Sequence, residues 1–264
     1  MSKAQEHYRE GRLQEALTAA TGDVRQRPTD SGRRTFLCEL LCLAGDLERA
    51  DRQLDALSHQ QPDGALSTSL FRQVLRAEQA RQQFFTDGRL PELLGPPPPA
   101  LKLLLEASIR LREGQTGEAA ELLARAEEER PRVTGICDGT AFDDLRDLDD
   151  RTASVLEVLT SNGKYYWVPL ERVELIEFRP PARPRDLLWR RAHLIVRDGP
   201  DGEVFLPTLY AGSQAEPDDR LRLGRATEWR GGDGTPTWGV GQRTLLVGDE
   251  ARPILEIKEI AVTM

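Results

Sequence analysis

The sequence predicts an α+β protein in which a tetratricopeptide-like helical array is followed by a small, mostly antiparallel, β-rich domain. Three observations lead to this prediction. Glycine, alanine and proline recur at a 34-residue spacing in the first half. Helical periodicity is lost after Pro131, and an Asn-Gly pair then separates two strand-like runs. We therefore predict two domains, residues 1–134 and residues 135–264.

The repeat is defined by a glycine, an alanine and a proline with constant internal spacing. Its three copies are Gly11, Ala16 and Pro28; Gly45, Ala50 and Pro62; and Gly114, Ala119 and Pro131. The first two copies are 34 residues apart (45−11), the length of a tetratricopeptide helix pair. The third follows after 69 residues (114−45), which leaves room for one degenerate unit. We expect each glycine to form the turn, each alanine to allow close helix packing, and each proline to end the pair.

The first helix of the second repeat is predicted to be buried, because apolar residues dominate it. These residues are Phe36, Leu37, Leu40, Leu41 and Leu43. Cys38 and Cys42 lie one turn apart on the same helix, but a tetrahedral zinc site needs further ligands. The three histidines are scattered along the chain. We therefore expect both thiols to pack in the core.

The third unit is irregular. One long helix is predicted from Ala65 to Phe85, with Leu66, Leu70, Val74, Leu75 and Ala77 facing inward. The run from Gly95 to Pro99 contains four prolines and predicts a stiff, extended connector. Helical spacing resumes from Leu101 to Arg112, and a last helix is predicted from Glu118 to Arg130.

Short strands are predicted throughout the second half. Their predicted ranges are 154–159, 164–168, 173–178, 193–196, 203–206, 243–247 and 254–262. Ser161-Asn162-Gly163 separates the first two, and its Asn-Gly pair is a strong signal for a hairpin. Together these segments predict a small antiparallel sheet or barrel with few helices.

The segment from Asp138 to Asp150 is the strongest candidate for metal chemistry. Its aspartates are Asp138, Asp143, Asp144, Asp147, Asp149 and Asp150. Clustered carboxylates bind divalent cations, but this run lacks the alternating order of a calcium loop. We expect a solvated turn that caps a helix or strand, so no metal, cofactor or catalytic residue is predicted. A metal- or nucleotide-dependent enzyme that uses this segment is the alternative hypothesis.

Aromatic residues of the second half are the candidate partner-binding residues: Tyr165, Tyr166, Trp167, Trp189 and Tyr210. Exposed aromatic rings are frequent anchors at protein interfaces, although most rings in a small β domain belong to the core. Strand alternation places Tyr165 and Trp167 on one face and Tyr166 on the other. At least one of these rings is therefore expected near solvent.

Composition narrows the class of protein further. A net charge of −8 over 264 residues disfavours nucleic acid as the main ligand. No apolar run approaches the length of a membrane-spanning helix, and the N-terminus has no secretory h-region. Three cysteines, an odd number, indicate a reducing compartment. We expect a cytoplasmic protein that binds protein partners, without nucleic acid and without membrane insertion.

Three stretches of the second half resemble one known family. They are Tyr166-Trp167-Val168-Pro169-Leu170-Glu171-Arg172-Val173, the run from Phe178 to Ala192, and Val204-Phe205-Leu206-Pro207-Thr208-Leu209-Tyr210. In the first half, Arg27-Pro28-Thr29-Asp30 and the run from Leu40 to Asp46 agree with it. On these residues the chain resembles the ImpE family, also called SciE or TagJ, over nearly its whole length.

The resemblance implies a non-enzymatic adaptor of bacterial type VI secretion systems. Members of the family are associated with the small sheath subunit TssB and with the recycling of contracted sheath by the AAA+ ATPase ClpV. The family has no established catalytic residues. Helical repeats also serve in other assembly machines, so a scaffold of a different machine remains an alternative on the repeat alone.

Overall fold

The computed structural model describes residues 1–60 and 64–263, and it confirms the α+β class. The first part of the chain is helical and the second is mostly antiparallel sheet. The helices of the first part are α1 (Lys3–Arg9), α2 (Leu13–Gln26), α3 (Ser31–Leu43), α4 (Leu47–Gln60), α5 (Ala65–Asp87), α6 (Pro99–Arg112) and α7 (Thr116–Glu129). Helices α1 and α2, α3 and α4, and α6 and α7 form contacting pairs joined by short turns, as helical repeats do.

The turn glycines and packing alanines occupy the positions that the repeat predicts. Gly11, Gly45 and Gly114 have φ values of 82°, 79° and 77°, in the left-handed region that glycine adopts without a Cβ penalty. The matching alanines, Ala16, Ala50 and Ala119, are completely buried. Pro28 and Pro131 follow α2 and α7, and Pro62 lies outside the described residues.

Helix α5 is longer than the other helices and turns toward the second half of the chain. Its C-terminus is closed by Gly88 in the left-handed conformation. Val74, Leu75 and Ala77 are buried as predicted, but Leu66 is 86% exposed. The inward prediction for Leu66 was wrong because it lies in the first turn of α5, before the helix meets its neighbours.

The proline run is a connector, and Pro99 is the first residue of α6. Before it, Glu92 pairs in parallel with Tyr166 at the edge of the main sheet.

The sheet region contains an eight-stranded sheet of order β2-β1-β13-β6-β7-β8-β4-β5, a three-stranded sheet β12-β11-β3 and the hairpin β9-β10. The strands are β1 (Thr134–Cys137), β2 (Thr140–Phe142), β3 (Leu145–Asp147), β4 (Val155–Leu159), β5 (Tyr165–Pro169), β6 (Val173–Phe178), β7 (Trp189–Val196), β8 (Asp201–Pro207), β9 (Thr227–Gly232), β10 (Thr235–Gly241), β11 (Thr244–Val247), β12 (Glu250–Pro253) and β13 (Glu259–Thr263). A short helix, α8 (Asp219–Arg222), precedes β9. The named strand pairs are all antiparallel.

Three parts of the β region differ from the prediction. The aspartate-rich segment was expected to be a turn, but it contains β2 and β3. The glycine run 231–234 is the tip of the β9–β10 hairpin, and its strands were not predicted. The predicted strand 254–262 is shorter, because β13 begins only at Glu259.

One hydrophobic cluster joins the helical part to part of the sheet, and a second cluster lies within the β region. The Phe84 ring of α5 lies 4.6 Å from the Trp167 ring of β5, and Phe71 lies 6.1 Å from Trp189 of β7, measured between centroids. The same buried cluster continues into the repeat helices. That residues 1–134 and 135–264 form two domains is therefore a proposal. Among the described helices, none has the length and apolar character that a bilayer crossing requires.

Candidate partner-binding groove

The structure places four of the five predicted aromatic residues inside the protein. Tyr165, Trp167, Trp189 and Tyr210 are each at most 2% exposed. Tyr166 is half-buried, on the opposite face of β5, as strand alternation predicts. Other side chains cover most of the surface of these four rings, although Trp189 also lines a cavity that is described below. Tyr166 is the most exposed of the five residues, and a partner-binding role stays a proposal for all of them.

The buried rings surround a charged network between α5 and the sheet. Its centre is Glu157 of β4, whose carboxylate is bonded by Arg81, Arg243 and the Tyr165 hydroxyl. Burial alone would raise the pKa of Glu157, but the two guanidinium groups lower it to about 2. Glu157 therefore carries a negative charge that two arginines share.

The network extends to both sides of Glu157. On one side, Glu78 accepts a hydrogen bond from Trp189 Nε1 at 3.0 Å. On the other, Asp147 pairs with Arg243 at 3.1 Å and accepts a hydrogen bond from the Tyr210 hydroxyl at 2.9 Å. Burial raises the pKa of Asp147 to about 6. Because these groups are covered and paired with each other, the network joins the helices to the sheet.

The aspartates of the segment from Asp138 to Asp150 mostly serve as partners of arginines and backbone amides. Asp144 accepts two hydrogen bonds from Arg130. Asp149 pairs with Arg151, and Asp150 accepts from the backbone of Thr237 at 2.7 Å. Within residues 1–60 and 64–263, no three His, Cys, Asp or Glu side chains are grouped to hold a metal ion. The geometry of this segment thus supports a structural role.

A large concave surface of the helical part is a groove formed by α1, α3, α4 and α5. It has a volume of about 1040 Å³ and is also lined by the loop that carries Arg183, Pro184 and Arg185. Its apolar side chains are Met1, Tyr8, Phe36, Leu54, Leu57 and Phe71. We call it the repeat groove. First helices of successive repeats line such concave surfaces in helical-repeat proteins.

One buried carboxylate lies on the repeat groove. Glu39 of α3 is 4% exposed, and its Oε1 has no hydrogen-bond partner among the described residues. Burial raises the pKa of Glu39 to about 7, while the guanidinium groups of Arg185 and Arg183 oppose that rise. An unpaired buried acceptor is unfavourable, so this oxygen is a candidate to accept a hydrogen bond from a bound molecule.

A second cavity, of about 450 Å³, lies on the other side of the same loop. We call it the arginine cavity. Its apolar wall contains Leu70, Phe71, Val74, Trp189 and Phe205, and its rim carries Arg179, Arg183, Arg185 and Arg191. Both cavities share Phe71, Ala182, Arg183 and Arg185. They are therefore contiguous around Arg185.

The edge of the main sheet at β5 is partly covered by the chain itself. The backbone N–H of Glu92 donates to Tyr165 O at 2.8 Å, and Trp167 N–H donates to Glu92 O at 3.1 Å. A partner strand that added to β5 would have to replace these hydrogen bonds.

The sequence analysis did not identify the loop or Glu39 as parts of a site. Glu39 had one visible signal, since it is the only charged residue between Phe36 and Leu43. The loop had none, because its contact with α3 depends on how the two halves pack.

Comparison with known proteins identifies a matching family model, a protein of similar sequence and a protein of similar structure. Residues 139–261 match the family model described as ImpE protein. The type VI secretion system accessory component TagJ of Pseudomonas aeruginosa is 33% identical over 258 residues, which cover 97% of this chain and 90% of that protein. A crystal structure of a protein from Vibrio parahaemolyticus superposes with a TM-score of 0.93 at 28% identity, over 100% of this chain and 98% of the other.

Proposed function

The chain belongs to the ImpE family, and from this premise we propose that it is a non-enzymatic accessory component of a bacterial type VI secretion system. In this role it binds a segment of the small sheath subunit TssB and is linked to sheath recycling by ClpV. The secretion role follows from the relative named TagJ. The TssB and ClpV links follow from the family resemblance described above.

The repeat groove is the observation that carries the binding proposal. It is concave and lined by apolar side chains from four helices, together with polar groups. An amphipathic helix or extended peptide fits such a surface by burying its apolar side chains there. A partner could bind in the repeat groove or add a strand to the edge of the sheet at β5. Glu92 already covers the β5 edge. The groove is therefore the favoured site.

Short overlapping peptides that span TssB test the proposal. Each is titrated into the full-length protein by calorimetry, and one contiguous region is expected to bind. Ser67 of α5 is exposed and lines the repeat groove, so Ser67→Trp should fill it and abolish binding. Ser69, two residues further along the same helix, is exposed and does not line it. Ser69→Trp should bind as wild type does.

The absence of binding for every TssB peptide and for the intact subunit would contradict the proposal. Equal loss in the Ser67 and Ser69 variants would place the site elsewhere.

The ClpV link is tested with contracted sheath, ClpV and ATP in light-scattering measurements. Addition of this protein should change the rate of sheath disassembly, and Ser67→Trp should remove that change. An unaltered rate at a saturating amount of the protein would contradict the link to recycling.

A further inference from the structure

Arg185 stands where the repeat groove and the arginine cavity meet. Its guanidinium lies over the Phe71 ring, with Cζ 4.7 Å from the ring centroid. It has no hydrogen bond and no ion pair with any residue in the described ranges. A guanidinium carries five N–H donors, and those of this partly buried residue have no protein acceptor within the described ranges. Such a group is prepared for a planar anion such as a carboxylate.

Glu39 is the second unsatisfied group at this junction. Its Oε1 is buried, lines the repeat groove and lacks a donor among residues 1–60 and 64–263. Arg185 is near enough to influence Glu39 electrostatically, yet the two do not form an ion pair. An acceptor and a set of donors thus face the same groove, and neither satisfies the other.

The charge around the arginine cavity is positive in a chain that is negative as a whole. Four arginines, at positions 179, 183, 185 and 191, face two carboxylates, those of Asp186 and Glu203, so the rim has a net charge of +2. The chain has a net charge of −8. Glu203 already binds Arg179 and Arg191, and Asp186 accepts from backbone amides. The free positive charge therefore lies at Arg183 and Arg185.

We propose that Arg185 and Glu39 select the partner segment in this groove. Arg185 pairs with a carboxylate of the segment, and Glu39 accepts a hydrogen bond from a nearby N–H or O–H of the same segment. An apolar side chain of the segment enters the arginine cavity beside Phe71 and Trp189. The partner is thus an acidic peptide with an apolar anchor. This inference rests on the proposed function, since it describes how the groove chooses its occupant.

Other peptide chemistries fit the junction less well. A basic segment would meet the net positive rim, and like charges oppose association. A wholly apolar segment would cover Arg185 and Glu39 without pairing them, which is costly for buried polar groups. Only a segment with both an acid and a donor satisfies the two residues together.

The test uses the full-length protein and the TssB peptide that binds most tightly in the titrations above. A second peptide has each Asp and Glu of that sequence replaced by Asn and Gln. Arg185→Gln should weaken binding of the acidic peptide about tenfold or more, as expected for loss of a charged hydrogen bond. It should leave binding of the neutral peptide unchanged. Arg52→Gln removes the same charge from an exposed site on α4 and should have no effect.

Glu39 is tested by two substitutions. Glu39→Met removes the acceptor and should weaken binding about tenfold, whereas Glu39→Gln keeps a carbonyl acceptor and should restore most of it. Circular dichroism and thermal melts of each variant establish that it is folded.

The outcomes separate this inference from the proposed function. If TssB peptides bind and Ser67→Trp abolishes binding, while Arg185→Gln weakens both peptides equally or not at all, the selection by Arg185 is refuted and the groove stands. If Glu39→Met binds as wild type does, the role of Glu39 is refuted. If no TssB peptide or subunit binds, the proposed function itself fails, and this inference fails with it.

Discussion

Arg81 of α5 donates to both carboxylate oxygens of Glu157 on β4, from Nε to Oε1 at 2.9 Å and from Nη2 to Oε2 at 3.1 Å. The two side chains are 4% and 0% exposed, so water does not screen them. Residues 76 positions apart in the chain thereby connect the helical array to the sheet. Arg81 also donates to the backbone carbonyl of Leu209 at 3.0 Å.

Arg81→Met should strongly destabilise the protein. It leaves Glu78 and Glu157 buried with fewer donors, and breaking a buried pair in this way costs about 3–5 kcal/mol. The melting temperature should fall by roughly 10 °C for a chain of this size. Arg72→Met on the same helix removes a half-buried pair with Asp51 and should cost about 1 kcal/mol or less. Equal melting temperatures for the two variants would contradict the central role of Arg81.

The alanines of the repeat provide a second test. Ala50 and Ala119 are completely buried where two helices meet, so replacement by leucine should cost about 1–3 kcal/mol through overpacking. Ala124 is exposed on the same helix as Ala119, and Ala124→Leu should be nearly neutral. Urea unfolding followed by circular dichroism measures all three. Wild-type stability in Ala50→Leu and Ala119→Leu would refute the packing role of the repeat alanines.

Much of the helical half could be predicted because its signals are local. A left-handed turn requires glycine and a close helix contact requires a small residue, and the two recur at a fixed spacing in the sequence. Gly45 and Ala50 are an example. The hairpin at Asn162-Gly163 was predictable for the same reason, since Gly163 has a φ of 83°. Patterns that depend on one or two turns of chain can be identified from sequence alone.

The candidate site depends on contacts between residues that are distant in the chain, and such contacts produce only a weak pattern in the sequence. Tyr165 and Trp167 were assigned to partner binding because an aromatic residue has the same sequence signal in a core and at an interface. Glu157 interrupts a fully buried strand, a sign of a buried pair, but nothing local identifies Arg81 as its partner. The loop at Arg185 contacts α3, from which it is separated by more than 100 residues of sequence.

Alanine substitutions at Gly114 and Gly117 test the geometry of the turn before α7, since only Gly114 lies in that turn. Gly114 has a φ of 77° with open space around it, so Gly114→Ala should cost about 1–2 kcal/mol from backbone strain alone. Gly117 is exposed and lies within α7, and a Cβ there meets no atom within 4 Å. Gly117→Ala should stabilise by about 0.4–1 kcal/mol. Thermal unfolding of both variants measures the difference, and the opposite order would contradict the assigned turn.

The Glu39 carboxyl predicts a pH dependence of stability. Its pKa is about 7 in the folded protein against an ordinary value of 4.5, so the folded state holds the proton more tightly. This contribution to stability is greatest below pH 4.5 and is lost as the pH rises toward 7. One pKa unit corresponds to about 1.4 kcal/mol, so the loss is on the order of 3 kcal/mol.

Glu39→Gln does not titrate and should therefore be more stable than wild type at pH 8 but similar to it at pH 4.5. Because the comparison is between two proteins, the contribution of Asp147, whose pKa is also raised, cancels. Glu48→Gln on exposed α4 is the control and should follow wild type throughout. Guanidinium unfolding at a series of pH values measures the difference. A constant difference between Glu39→Gln and wild type at every pH would contradict the raised pKa.

The shared core leads to a prediction about the two halves. A fragment of residues 1–134 would expose Phe71 and Phe84 and would leave Arg81 and Glu78 without Glu157 and Trp189. Loss of this packing and of the buried pairs exceeds what a marginally stable domain can tolerate. We expect the fragment to be helical in part but to lack a cooperative thermal transition, whereas the full chain should show one. A sharp transition in the fragment, with well-dispersed amide resonances, would instead establish residues 1–134 as an independently folding domain.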